Sequence, residues 1–322
     1  MIKQTVQKIS SIKLLQNIDN QISLTLGDEL PILSKLKEYT INSGGKRVRS
    51  LLSCYLDSIF EKENETIYGI AGIIEIIHAA SLLHDDVLDD ASTRRGKPSG
   101  KTIFGSKEVI LGGDYMLSCA IRKLNEYKDP RLMDVFTRVI KDLSVGELLQ
   151  MDNIQSSSLT LETYYRIIYC KTASLFKSSC EAVGIIAGQP ESIVTQLSEL
   201  GEKLGILFQI RDDYLDYFNA KLLNKPPFQD FENACFTYPV LCIENKAERQ
   251  EINKFFSKQP GDRKEEETKK QLLQRLKEYK SDEKTLEYLN SLYNDINERL
   301  NLLPDSQATS KITEQIDKLM EI

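Results

Sequence analysis

Residues 67–89 read IYGIAGIIEIIHAASLLHDDVLD, a long apolar run that ends in a cluster of carboxylates. Ile73, Ile76, Ile77, Ala80 and Leu83 recur at helical spacing. Glu75 and His78 interrupt the run before it reaches membrane-spanning length, so the pattern predicts a buried helix. The carboxylates at its end form DDxxD: Asp85, Asp86 and Asp89, followed by Asp90. Positions i and i+4 of a helix share a face, so Asp85 and Asp89 project together. The same pattern returns at Asp212, Asp213 and Asp216, again after an apolar run. Like charges stacked in this way destabilise a helix unless a cation lies between them. Hard oxygen ligands in this number suit Mg²⁺, which keeps some waters and takes further oxygens from a phosphorylated substrate.

The rest of the chain agrees with a helical fold. Gly (16) and Pro (9) are scarce among 322 residues, and strand-like alternation is almost absent. Turn signals cut the chain at SGG 43–45, RRGKPSG 94–100, KDP 128–130, GQP 188–190, NKPP 224–227 and QPGD 259–262. These divisions predict ten or more helices in one all-α domain over residues 1–322. From about residue 246 the chain becomes rich in Lys and Glu. That charge reads as a solvated face on helices whose Leu and Ile positions pack inward.

With 42 basic and 48 acidic residues the formal charge is −6, which argues against nucleic acid as a partner. The opening MIKQTVQKIS has no apolar signal core. Six cysteines include no CxxC pair, and His78 and His84 are the two histidines. Neither a zinc site nor a disulfide framework is signalled, and reduced thiols in a cytoplasmic protein are expected.

Cations accompany the carboxylates. Lys46 and Arg49 stand at i,i+3 after a glycine pair, Arg94 and Arg95 follow the first acidic motif, Lys171 precedes Thr172, and Lys225 follows the second motif. Arg offers a bidentate fork to phosphate oxygens and Lys a point charge. GGKR lacks the glycine spacing and the Ser/Thr of a Walker loop, and there is no GxGxxG. Two acidic motifs flanked by separate basic clusters are what the binding of two pyrophosphate groups requires.

At these residues the chain resembles the trans-polyprenyl diphosphate synthase (polyprenyl synthetase) family, in its long-chain, octaprenyl-diphosphate-synthase-like branch. The resemblance runs from about residue 40 to 240. It is carried in order by GGKRVRS, IHAASLLHDDVLDDASTRRGKPS, GDYML, GELLQ, KTASLF, FQIRDDYLDYF and KPPFQDFENACFTYP. It implies an isoprenoid-synthase fold, a single-domain helical bundle around a central cavity, and a homodimer. It implies a reaction in which an allylic diphosphate ionises, the double bond of isopentenyl diphosphate attacks the cation, and a proton leaves.

Carried over position by position, the resemblance gives Asp85, Asp86, Asp89, Asp212, Asp213 and Asp216 the metal, three Mg²⁺ ions with substrate bound. Arg94, Lys171 and Lys225 match contacts to the allylic diphosphate. Lys46, Arg49, His78 and Arg95 match the isopentenyl diphosphate site. Thr172 and Gln209 match positions near the reacting carbons. The elongating tail is implied to descend beside the helix carrying the first acidic motif, and a peripheral membrane contact serves product release. Ala80 and Ser81, five and four residues before Asp85, are small and leave that path open, which predicts a long product.

One stretch departs from the family pattern GKPxGxDLxEGKxTLP. Residues 224–239 read NKPPFQDFENACFTYP. Phe228 and Ala234 replace glycines and Cys235 replaces the second lysine, which predicts a slower or more Mg²⁺-dependent enzyme, and the consecutive Pro226 and Pro227 predict a stiffer loop. Two other readings compete. A catalytically weak or silent regulatory subunit would be expected to carry a broken acidic motif, and both are intact. A terpene cyclase would not need the second diphosphate site that Lys46, Arg49 and Arg95 represent.

Overall fold

A computed structural model describes residues 11–42, 47–60, 65–94, 96–222, 226–304 and 307–320. In chain order the helices are α1 (Ser11–Thr25), α2 (Pro31–Asn42), α3 (Val48–Ile59), α4 (Thr66–Leu88), α5 (Gly100–Phe104), α6 (Ser106–Glu126), α7 (Pro130–Asp152), α8 (Leu161–Ile168), α9 (Ser174–Ile186) and α10 (Glu191–Phe218). They continue with α11 (Gln229–Glu232), α12 (Tyr238–Leu241), α13 (Lys246–Phe256), α14 (Pro260–Arg263), α15 (Glu266–Glu278), α16 (Ser281–Leu300) and α17 (Gln307–Met320). Among the described residues, strands are confined to β1 (Thr93–Arg94) and β2 (Lys97–Pro98), an antiparallel pair.

The turn residues act where the sequence puts them. Pro130 opens α7 and Pro260 opens α14, positions where the missing N–H costs nothing. Gly188 takes a left-handed φ of 64° just past α9, and Gly96 a φ of 74° between β1 and β2. Ser99 caps α5 by accepting a hydrogen bond from the Thr102 N–H at 3.2 Å.

The described residues fall into two compact units. The first holds the chain up to Arg138, with Ser178–Ser198 and Leu303–Ile312. Its centre is α4, packed on α1, α3 and α6. Ile70, Ile73, Ile74, Ile76, Ile77 and Ala80 are each wholly buried, and a buried Ile contributes about 1.5–3 kcal/mol. This helix is long and apolar enough to cross a membrane, yet its apolar window is mostly buried inside the protein.

The second unit holds Val139–Lys177, Glu199–Leu302 and the chain from Thr313. Here α13 packs on α15, and α12 and α15 pack on α16. Leu272, Leu276, Leu289, Ile296 and Leu300 supply the inward stripe expected of the charged C-terminal region. The charge is not all solvated, however. Arg263 and Lys269 are buried, at 3% and 8% exposure. Arg263 donates to the carbonyls of Glu232, Phe256 and Lys258, and Lys269 pairs with Glu232 at 2.8 Å.

Candidate active site

The first acidic motif closes α4. Asp85 is half-buried and Asp89 exposed, but Asp86 is only 1% exposed. The β1–β2 hairpin folds back on it: Arg94 Nε donates to Asp86 Oδ1 at 2.6 Å, and the Gly100 N–H donates to Oδ2 at 3.2 Å. Gly100 leaves room for this approach, since a Cβ there would lie 2.8 Å from Leu83 Cδ2. Asp90 turns away in a left-handed conformation and pairs with Lys101, whose hydrogen bond lowers its pKa.

The neighbours of α4 place further expected residues. His78 lies two turns before Asp85 on the same side of the helix, half-buried, and its carbonyl accepts from Ser81 Oγ at 2.8 Å. Arg49 occupies the first turn of α3, which Ser50 ties to α4, its hydroxyl lying 2.9 Å from Ala71 O and 2.6 Å from Glu75 Oε1. His84 faces α6, its Nε2 lying 3.2 Å from Ile110 O and 3.4 Å from Asp114 Oδ1. Gly113 leaves room for that ring, because a Cβ would sit 2.3 Å from Nε2. A small cleft is lined by Tyr39 and Thr40 of α2, by Ala79, Leu82 and Asp86 of α4, and by Arg94 and Lys97 of the hairpin.

The second motif closes α10 and is built differently. Asp212 is half-buried, whereas Asp213 and Asp216 are 2% and 0% exposed. Asp213 accepts from Tyr164 Oη at 2.5 Å, Gln209 Nε2 at 2.9 Å and the Tyr238 N–H at 3.4 Å. Burial pushes its carboxyl up to about 6, against the hydrogen bonds of Tyr164 and Gln209, which lower it. Asp216 accepts from the Gln229 N–H at 3.2 Å and the Asp230 N–H at 3.1 Å, so it caps the loop that follows.

Lys171 and Thr172 sit in a single π-helical turn, Tyr169–Ala173, between α8 and α9. Two glycines admit the turn. A Cβ on Gly146 of α7 would meet Lys171 Cγ at 2.7 Å, and one on Gly205 of α10 would meet Ala173 Cα at 2.4 Å. Lys171 Nζ pairs with Glu147 and donates to Gln150 Oε1 at 2.9 Å. Thr172 Oγ1 donates to Gln209 Oε1 at 2.7 Å.

The loop after α10 keeps a backbone suited to glycine without having glycine. Phe228 and Ala234 have φ of 62° and 55°, a left-handed conformation that costs an L-residue about 1–2 kcal/mol. Burial holds them there: Phe228 is 8% exposed with its ring edge-on to Tyr217, and the Ala234 carbonyl accepts from the Gln155 N–H. Phe256 of α13 stacks on Phe236 and meets Phe231 edge-on, beside the Arg263 and Lys269 contacts to Glu232. Cys235 is half-buried, and Gln150 Nε2 donates to its Sγ at 3.9 Å. It therefore stands next to the side chain that holds Lys171, and not in the core.

The six carboxylates of the two motifs thus differ in what they meet. Asp86, Asp213 and Asp216 have both oxygens engaged by protein donors, while Asp85, Asp89 and Asp212 lie nearest solvent. Among the described residues no three His, Cys, Asp or Glu side chains converge on one point. That donor set fits Mg²⁺, which takes one or two carboxylates and completes its shell with water and phosphate oxygens. Lys46, Arg95 and Lys225 lie outside the described residues. The sequence reading missed Glu147, Gln150 and Tyr164. The i,i+3 spacing of Glu147 and Gln150 within GELLQ was the available signal.

Residues 30–276 match the family model for polyprenyl synthetase. The chain is 33% identical over 217 residues to octaprenyl diphosphate synthase of Escherichia coli (strain K12), covering 67% of each chain. Its fold matches a decaprenyl diphosphate synthase from Rhodobacter capsulatus with a TM-score of 0.87, at 27% identity and 96% coverage of both chains. A polyprenyl synthase from Caulobacter crescentus, complexed with calcium and isoprenyl diphosphate, matches with a TM-score of 0.86, at 26% identity over 98% of this chain and 99% of that one. The all-α architecture is that of the isoprenoid synthases, and the chain belongs to the polyprenyl synthetase family of prenyltransferases.

Proposed function

We propose that the chain condenses isopentenyl diphosphate with an allylic diphosphate primer in successive head-to-tail additions, yielding a long all-trans polyprenyl diphosphate. The carrying observation is that both acidic motifs are intact and keep Asp85, Asp89 and Asp212 nearest solvent. The relatives named for octaprenyl and decaprenyl products support a long product. The calcium and isoprenyl diphosphate complex of the Caulobacter crescentus protein supports a divalent-cation site.

Bound Mg²⁺ would neutralise the charge that builds on the leaving pyrophosphate. Asp85 and Asp89 would hold it at one motif and Asp212 at the other. Lys171, fixed by Glu147 and Gln150, would bind diphosphate oxygens directly, with Lys225 beside it. Arg94 braces Asp86 while offering its guanidinium to the allylic diphosphate. Lys46, Arg49, His78 and Arg95 would bind isopentenyl diphosphate. Thr172 and Gln209 would face the carbons where positive charge develops.

In this reading the chain is one catalytic domain in a cytoplasmic homodimer that touches membrane to release product. Exposed Ile110, Leu111 and Ile121 on α6 are apolar surface that a second copy would cover, and light scattering tests it. The deciding experiment supplies labelled isopentenyl diphosphate with allylic primers of increasing length, with and without a chelator. Long products that vanish on chelation are expected. No product with any primer would replace this reading with that of a silent regulatory subunit.

A further inference from the structure

Thr172 and Gln209 share a hydrogen bond whose direction is dictated from further inside the protein. Gln209 Nε2 donates to Asp213 Oδ1, and a carboxylate can only accept. Turning the amide over would set its oxygen against that carboxylate, so Gln209 must aim Oε1 at Thr172. A threonine hydroxyl carries one hydrogen. With that hydrogen given to Gln209, the hydroxyl has only lone pairs left for any other neighbour.

Asp213 is itself fixed from behind. Tyr164, 3% exposed, donates its hydroxyl to Oδ2 at 2.5 Å, and the other donor to that oxygen, the Tyr238 N–H, lies at 3.4 Å. Tyr164 is held in turn by its ring contacts with Tyr165 and Tyr238. Tyr164, Asp213, Gln209 and Thr172 therefore form a one-way chain of donors and acceptors across α8, α10 and the π-turn.

We propose that Tyr164 is a positioning residue: by anchoring Asp213 it fixes the direction of this chain, so that Thr172 presents oxygen lone pairs, not a hydroxyl hydrogen, to the allylic carbons. This rests on the prenyltransferase reading given above. Lone pairs aimed at a developing carbocation stabilise it, whereas a hydrogen aimed there opposes it. Without the tyrosine hydroxyl the carboxylate rotates toward other donors, Gln209 loses its fixed orientation, and the Thr172 hydrogen is released from it.

The test is a double-mutant cycle on the full chain, read as single-turnover condensation of isopentenyl diphosphate with farnesyl diphosphate in Mg²⁺. Tyr164→Phe is expected to lower the rate about tenfold or more while KM for isopentenyl diphosphate stays unchanged. Thr172→Val is expected to lower it further, and adding Tyr164→Phe to Thr172→Val to change nothing, because no lone pair remains to orient. Thr172→Ser should restore the sensitivity to Tyr164→Phe. If Tyr164→Phe lowers the unfolding midpoint, the cycle is read at a temperature well below the midpoints of all four variants; the same loss and the same lack of additivity are expected. Independent, multiplicative losses, or an unchanged rate in Tyr164→Phe, would overturn the proposal alone. An unmodified chain that forms no product would overturn the prenyltransferase reading and this proposal with it.

Discussion

The two acidic motifs have the same letters at the same spacing and use them differently. At the end of α4, Asp86 alone turns inward, and it meets a side-chain cation and one backbone N–H. At the end of α10, Asp213 and Asp216 both turn inward, and they meet a tyrosine, a glutamine and three backbone N–H groups. The first motif keeps a pair of outward carboxylates, the second a single one. A DDxxD motif is thus part outward-facing and part scaffold, and the proportion depends on what folds back against it. The second motif also carries the following loop, through the two N–H groups that Asp216 caps.

The comparison is most directly broken at Asp85. Asp85→Asn is expected to lower kcat about 10²–10³-fold, the order seen when one stabilising group is removed from a transition state. Its unfolding midpoint should hold, because Asp85 lies on the accessible side. Equal loss of kcat in Asp86→Asn with no loss of stability would erase the distinction between the two neighbours.

The scaffold carboxylates come next. Asp216→Asn cannot accept both N–H groups, and a charge-assisted hydrogen bond is worth about 1.5–3 kcal/mol. A loss of stability of that size is expected, with faster protease cleavage within residues 226–237. Asp86→Asn should cost a similar amount by freeing Arg94. Retained stability in Asp216→Asn would mean that Phe256, Arg263 and Lys269 hold the loop without the cap.

The turn of α4 before Asp85 separates path from core. Ser81 shares the side of Asp85 and is half-buried, whereas Ala80 points elsewhere and is wholly buried. Ser81→Phe is expected to shorten the product, seen by chromatography, with the fold intact. Ala80→Phe should overpack the core at about 1–3 kcal/mol. Unchanged product length in Ser81→Phe would show that the tail runs along another side of the helix.

Cys235→Lys probes the loop that the second motif carries. An ammonium there would reach Gln150 and Glu147 beside Lys171, and is expected to raise kcat or lower KM for the allylic primer by about tenfold. No gain would show that Lys171 already meets the demand. The smallest effect concerns the backbone. Ala234→Gly relieves the left-handed φ but loosens the unfolded chain, for a net gain of about 0.5–1 kcal/mol by thermal melting. A loss of stability there would mean that the Ala234 methyl packs better than its backbone strain costs.

Much of this is legible in the amino-acid sequence. The apolar period of residues 67–83 made α4 a buried helix, and Pro130, Gly188 and Pro260 fall at the boundaries their chemistry dictates. The departure at Phe228, Ala234 and Cys235 was visible as well. What the sequence could not show was that Phe228 and Ala234 retain the left-handed backbone, where the Phe228 ring meets Tyr217 and the Ala234 carbonyl accepts from the Gln155 N–H. Nor could composition show that Arg263 and Lys269, in a region of solvated charge, are buried against the loop.

The sequence by itself determined which residues share a helix face, because a rise and a turn per residue are fixed by backbone geometry. It therefore determined the two acidic motifs and the family. Only the tertiary structure decided which carboxylates face outward. A buried carboxylate needs donors, and those donors come from far along the chain: Arg94 and Gly100 for Asp86, Tyr164 and Tyr238 for Asp213, Gln229 and Asp230 for Asp216. Helical spacing is local, and the satisfaction of a buried charge is not.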